Sequence, residues 1–226
     1  MSKRLRHFPS GHIFAALLAV LVCFISAPVH ADARGDALSA ARKGNSATLV
    51  KLLESRAVSP DTVDDNGNSL LMLAVREGNA DTVMALLRFN PLLDLRNRNG
   101  DSALMVAALG GNEKAINLLL DKGARTDHGG IGWTALHYAA LEGKLNILER
   151  LLAARANVNA LTPNLSDALM LAARNGHIDI VRRLLKTPIA LDRRNERELT
   201  AEEWAREKGN TDIADLIKKA RAAKRS

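Results

Sequence analysis

The chain has one cysteine in 226 residues, and that residue, Cys23, lies near the start. A disulfide framework is therefore excluded, and with it any thiolate metal cage built from several cysteines. Aromatic residues are almost as scarce, at 3% of the chain. Base-stacking platforms need rings and a basic stripe; the rings are few and no basic stripe runs along the chain, so nucleic acid is not an expected partner. Long apolar runs are missing too. The longest uncharged one, Ile13 to Ile25, has 13 residues, whereas a membrane-spanning helix needs ~20. No serine stands in a Gly-x-Ser-x-Gly elbow, and no glycine-rich stretch carries the Lys-Ser/Thr of a phosphate loop. The histidines beyond the first segment, His128, His137 and His177, fall in three unlike contexts, so no metal-ligand pair is expected. Catalytic residues, metal ligands and cofactors are all expected to be absent.

The first 31 residues differ from the rest of the chain. Lys3, Arg4, Arg6 and His7 precede the apolar run, and Val29 and Ala31 sit at the minus-three and minus-one positions of a cleavage site before Asp32. That order is the layout of a secretory signal peptide. A lipid-attachment site at Cys23 does not fit, because Val22 precedes it and Phe24-Ile25 continue the apolar run. Cleavage would leave a chain without cysteine, suited to an oxidising compartment. It would also discard three of the cations behind the formal charge of +7. Of the rest, Lys218, Lys219, Arg221, Lys224 and Arg225 crowd the other end, read as a solvated helix end.

From residue 34 onward the sequence keeps a beat. A glycine follows an alanine by four residues at Ala40/Gly44, Ala74/Gly78, Ala107/Gly111, Ala139/Gly143, Ala172/Gly176 and Ala205/Gly209. The glycines recur every 32 to 34 residues, and a leucine pair follows each of the first five: Leu52-Leu53, Leu86-Leu87, Leu119-Leu120, Leu151-Leu152 and Leu184-Leu185. A period near 33 signals a repeat array. In the clearest copy, Thr134 to Glu142 predicts a short helix capped by the threonine hydroxyl and ended by Gly143. Leu145 to Ala153 predicts a second helix, with Ile147, Leu148, Leu151 and Leu152 on its buried face. Small alanines let neighbouring first helices approach, and the leucines of the second helices close the layer. Leu71, Leu104, Leu136 and Leu169 occupy one register position, seven before the glycine; Ala37 and Glu202 replace them at the ends. With Arg206 and Lys218, Glu202 predicts a terminal unit whose outer side faces water.

Gly132-Trp133-Thr134-Ala135-Leu136-His137, then Ala139-Ala140, Gly143, Leu151-Leu152 and Ala156-Asn157-Val158-Asn159, resembles the ankyrin repeat. The other copies read Ser69-Leu70-Leu71-Met72, Ser102-Ala103-Leu104-Met105 and Asp167-Ala168-Leu169-Met170 at the matching place. The resemblance implies an all-α solenoid of about six stacked helix-turn-helix units with finger loops, capped at both ends. It fills residues 32–223, with approximate units 34–64, 65–97, 98–129, 130–162, 163–195 and 196–223, after a signal peptide over 1–31. It also gives His137 a turn-stabilising role. Two departures stand out: Pro188 falls where a helix-ending glycine is usual, and Leu165 replaces a finger glycine.

With its leader, the chain looks like exported ankyrin proteins of Gram-negative bacteria. That likeness implies a periplasmic, non-catalytic and monomeric scaffold that binds a protein through its concave face, without stable membrane insertion after cleavage. Two versions stay open within that reading, an immunity-type inhibitor or an accessory factor for an exported enzyme such as a catalase, and the alternative from another class is a groove-type small-ligand binder or enzyme. Transferring the family's contact positions by register marks Leu109, Ile131, Trp133 and Leu141 as a central apolar patch, flanked by Arg98, Asp101 and Arg174. Trp133 either offers itself to a partner or folds down over its own finger.

Overall fold

The computed structural model describes residues 33–225, so the leader expected over 1–31 lies outside the described residues. Twelve helices follow one another in six pairs: α1 (Ala33–Lys43), α2 (Ser46–Glu54), α3 (Leu70–Arg76), α4 (Ala80–Leu87), α5 (Ala103–Leu109), α6 (Glu113–Asp121), α7 (Ala135–Leu141), α8 (Leu145–Ala153), α9 (Ala168–Asn175), α10 (Ile178–Leu184), α11 (Ala201–Glu207) and α12 (Thr211–Arg225). Odd-numbered helices pack side by side as an inner layer, and even-numbered ones form the outer layer behind them. The two predicted helices of the clearest copy are α7 and α8. Tight turns join each inner helix to its outer partner, and loops of 13 to 16 residues lead from each outer helix to the next inner one; the only bridge of extended backbone among the described residues joins Val63 and Ser69.

The beat alanines explain the inner layer. Ala74, Ala107, Ala139, Ala172 and Ala205 are wholly buried, as are the leucines Leu71, Leu104, Leu136 and Leu169 within 1%. A helix of seven residues is too short to stand alone in water, so the stack itself supplies the stability. Each inner helix from α3 onward is started by a side chain that accepts from the backbone N–H three residues on: Ser69, Ser102, Thr134, Asp167 and Thr200.

Side chains also tie one unit to the next. The residue after a turn glycine reaches back to the carbonyl end of the preceding inner helix. Asn112 Nδ2 donates to the Val75 carbonyl (3.1 Å), His177 Nε2 to Leu141 (2.9 Å) and Asn210 Nδ2 to Ala173 (2.9 Å). Carbonyls in the last turn of a helix lack a partner within that helix. His177 is thus a bridge between units. It also fixes the need for glycine at 143: φ there is +66°, and a Cβ would lie 2.7 Å from His177 Nδ1. A second set of ties runs along the loops: Asp61 accepts from Leu92 N–H (2.7 Å), Asp94 from Arg125 (3.0 Å) and Asn159 from Ala190 (2.9 Å).

Both departures have local solutions. After the outer helices, Arg56, Asn90, Gly123 and Arg155 take positive φ, between 49° and 88°. Pro188 breaks that series, because its ring fixes φ near −65°; Thr187 ends α10 instead, its N–H and hydroxyl both donating to the Leu184 carbonyl (2.9 and 2.6 Å). Leu165 adopts φ +59° where Gly67 and Gly100 have 76° and 83°.

The last unit corrects an expectation. Glu202 does not face open water: its side chain is 14% exposed, and Arg221 Nη2 lies 2.9 Å from its carboxylate. The reason is length. The last helix has 15 residues against seven to nine in the other outer helices, and its extra turns lie over the end of the stack. Arg221 also approaches Asp192 (3.2 Å), and Lys224 Nζ donates to the Ile189 carbonyl (3.1 Å). The basic end is therefore partly structural, while Lys218 and Lys219 remain exposed.

Candidate functional site

The finger loops and the ends of the inner helices form one face, and its chemistry changes from unit to unit. In four fingers a single side chain organises the tip by accepting backbone N–H groups two and four residues on: Asp64, Asn97, Thr162 (from Ser166 only) and Asn195. The finger that leads into the fourth unit has Gly129 and Gly130 there instead, at φ 73° and 77°. That finger carries Ile131, 62% exposed, and leads into Trp133.

Trp133 lies between the two expected positions. It is half-buried, stacked flat on Tyr138 (4.9 Å between ring centres, 20° between planes) and edge-on to His137 (6.0 Å). These two rings hold the indole, and part of its surface stays exposed. Tyr138 is the residue that register transfer passed over. Its hydroxyl donates to Asp101 Oδ1 (2.9 Å), and burial together with that carboxylate keeps the phenol protonated well above its usual range. The available signal was the spacing: two of the chain's few rings stand five residues apart, across one inner helix.

This contact removes Asp101 from the expected surface. It is 8% exposed and its Oδ1 accepts from Tyr138, so it holds the aromatic pair in place. The other expected residues lie at or near the surface. Leu109 is 43% exposed and Leu141 half-buried; they end α5 and α7, which pack side by side. Arg98 is exposed, and its backbone N–H joins finger to finger through the Asn66 carbonyl (3.0 Å). Arg174 is exposed and lies over the buried Trp204 ring, 5.2 Å from its centre. The apolar surface is thus a stripe along α7, from Ile131 and Trp133 through Tyr138 to Leu141, with Leu109 beside its end.

The imidazole inside this unit is structural. Thr134 N–H donates to His137 Nδ1 (3.1 Å), which leaves the proton on Nε2, donated to the Ala160 carbonyl (3.0 Å). Burial lowers its pKa to about 4, so the ring is neutral at physiological pH. Among the described residues no group of three or more His, Cys, Asp or Glu side chains is placed to hold a metal ion. An open groove of about 520 Å³ between the loops of α8 and α10 is lined by Leu152, Arg155, Asn157, Asn159, Arg183 and Lys186, among others, without an imidazole or carboxylate. No helix among the described residues is long and apolar enough to cross a membrane.

Comparison with known proteins agrees with this architecture. The family model described as ankyrin repeats (3 copies) matches residues 37–129, 92–162 and 136–225. The B-cell lymphoma 3 protein homolog of Mus musculus is 32% identical over 145 residues, which is 62% of this chain and 32% of that protein. A Caenorhabditis elegans homolog of transient receptor potential cation channel subfamily A member 1 is 28% identical over 168 residues, 74% of this chain and 14% of that one. The chain therefore spans a third or less of these curated relatives. Among solved structures, it is similar to a chain of the predatory endopeptidase from Bdellovibrio bacteriovorus in complex with an immunity protein: TM-score 0.73, 28% identity, 81% of this chain and 97% of the other. The human ASB11 ankyrin repeat domain shares the fold, with TM-score 0.71 and 24% identity, covering 81% and 82%.

Proposed function

The chain belongs to the ankyrin-repeat family, whose repeats are protein-interaction scaffolds, typically non-catalytic, and from that premise we propose that it is a non-catalytic scaffold that binds a protein partner in the periplasm. The observation that carries this reading is the division of labour among its side chains. Buried alanines and leucines, capping hydroxyls and bridging asparagines hold the stack, while Ile131, Trp133, Leu109 and Leu141 present apolar surface with no structural task that requires exposure. Exposed apolar surface rimmed by charge is typical of interaction sites, and tryptophan is enriched among residues that dominate binding. Export rests on the leader over residues 1–31; N-terminal sequencing of periplasmic protein should begin at Asp32.

The test is a pull-down from periplasmic extract with the wild type and with Trp133→Ala. The variant should weaken capture of the partner by about 2 kcal/mol or more while keeping its helical ellipticity. Undiminished capture by Trp133→Ala refutes the proposed centre. A second reading, an immunity-type inhibitor, is favoured over an accessory factor by the likeness to a chain of an endopeptidase–immunity protein complex, which extends over nearly that whole chain. Titrating the protein into the captured partner separates them: an inhibitor abolishes the partner's enzymatic activity at one equivalent, and an accessory factor leaves or raises it.

A further inference from the structure

The free polar groups around the apolar stripe include three donors, the guanidinium groups of Arg98 and Arg174 and the indole N–H of Trp133. Several acceptors nearby are already taken. Asp101 receives Tyr138, the Leu141 carbonyl receives Asn175 and His177, and Asn68 Oδ1 receives both Arg76 and Asn97. At both ends of the array exposed guanidinium groups are matched to carboxylates: Arg34 to Asp65, Arg42 to Asp64, Arg194 to Glu203, and Arg197 to Glu207. Beside the stripe this pattern stops. Arg98 and Arg174 have no carboxylate partner among the described residues, and the Trp133 indole N–H has no acceptor there. Glu142, at the end of α7, is an exposed acid next to the stripe, and Glu77 holds the same place at the end of α3.

Resting on the scaffold reading, the geometry points to a partner segment of defined chemistry: an extended acidic peptide whose apolar or aromatic centre seats on Ile131, Trp133, Leu109 and Leu141, and whose flanking carboxylates meet Arg98 on one side and Arg174 on the other. The two arginines belong to the third and fifth units. Two steps of about 8–10 Å between packed helices separate them along the array by about 16–20 Å. An extended strand covers that spacing along the array in about six residues at about 3.3 Å each, and since Arg98 stands on a finger and Arg174 in the last turn of an inner helix, the segment crosses the face obliquely. Charge here supplies specificity and approach rate, and the apolar centre supplies most of the affinity.

The probe is a dye-labelled heptapeptide, acetyl-Asp-Glu-Phe-Leu-Phe-Glu-Asp-amide, compared with its neutral isostere, acetyl-Asn-Gln-Phe-Leu-Phe-Gln-Asn-amide, by fluorescence anisotropy on the folded protein at low salt. The acidic peptide should bind at least tenfold more tightly. The double variant Arg98→Gln/Arg174→Gln should reduce that ratio to below twofold, and Trp133→Ala should weaken both peptides alike. Circular dichroism confirms that the variants stay folded. Equal binding of the two peptides, no binding of the acidic one, or a ratio unchanged by the arginine substitutions overturns the inference. If these occur while Trp133-dependent capture of a partner persists, the scaffold reading stands without it. Loss of both removes both.

Discussion

Replacing Asp167 by serine should change how stability depends on pH, in a direction set by burial. Asp167 caps α9 and is 1% exposed. Its Oδ1 accepts the Met170 N–H (2.9 Å), while Oδ2 is buried with no hydrogen-bond partner among the described residues. Burial raises its pKa from 3.8 to about 6, against the opposing pull of the backbone N–H groups and Arg193. Below the unfolded value both states carry the proton, and no linkage arises. As pH rises between the two values, the unfolded chain loses its proton first, so the folded state loses stability until it too has ionised above about 6. A gap of about two pKa units corresponds to about 3 kcal/mol at neutral pH. Serine caps without charge, as Ser69 and Ser102 do in neighbouring units. Any cost of the smaller side chain is independent of pH and shifts the whole curve. The assay is urea unfolding followed at 222 nm from pH 4 to pH 8, in both proteins. The stability of Asp167→Ser relative to wild type should climb by about 3 kcal/mol across that range, most of it between pH 4 and 6.5. Parallel curves would refute the argument that this carboxylate ionises at a cost.

His137 acts with the opposite sign. Its pKa falls from 6.5 to about 4, so acid protonates the unfolded chain first and stability is lost as pH drops from 6.5 towards 4, by up to about 3 kcal/mol. His137→Met, the residue found at this place as Met72, Met105 and Met170, should flatten that acid limb. It should also cost ~1–3 kcal/mol at pH 8 by leaving the Ala160 carbonyl unpaired; a steep limb that survives the substitution counts against this assignment. Arg155→Gly removes a side chain from an exposed position at φ +62° and should stabilise by up to about 1 kcal/mol, read as a higher urea midpoint at unchanged slope. Gly143→Ala should destabilise by about 1–3 kcal/mol, because it combines strain at positive φ with the contact on His177; a neutral result in the same assay would show that the His177 bridge gives way.

The array was legible in the sequence because its markers are imposed by geometry. Only a small residue fits where inner helices touch, and only glycine tolerates both the left-handed turn and the bridging side chain above it, so Ala139 and Gly143 announce the unit without help from tertiary context. Site residues lack that protection. Asn68, Asp101, Trp133 and Ser166 share one register position, ten before the glycine, yet Trp133 is half-buried while the other three are buried. The neighbour decides: Tyr138, one unit on, closes Asp101 off. Glu202 misleads for a related reason. Its polarity suggests an outer side open to water, but the cover comes from Arg221, beyond the reach of the repeat pattern. The bridges from Asn112, His177 and Asn210 recur with the period and are visible in outline, though their targets lie 36 or 37 residues away and only the stack brings them within reach.

One position shows why such a fold can change partner without changing shape. Two residues before the turn glycine stand, in order, Arg42, Arg76, Leu109, Leu141, Arg174 and Glu207. Each lies in the last turn of an inner helix, in an equivalent backbone setting, and none contributes to the alanine layer beneath. Substitution there alters the face while leaving the buried alanines and the bridging asparagines untouched. The four charged residues of this set differ in how far they are committed. Arg42 is bound to Asp64, Arg76 to Asn68 and Glu207 to Arg197, whereas Arg174 rests on a ring and has no carboxylate partner among the described residues. Arg98, on the far side of the stripe, likewise has no carboxylate partner among the described residues. The two guanidinium groups left unmatched on this face therefore flank its most exposed apolar surface, which is the arrangement that an acidic, apolar-centred segment would complete.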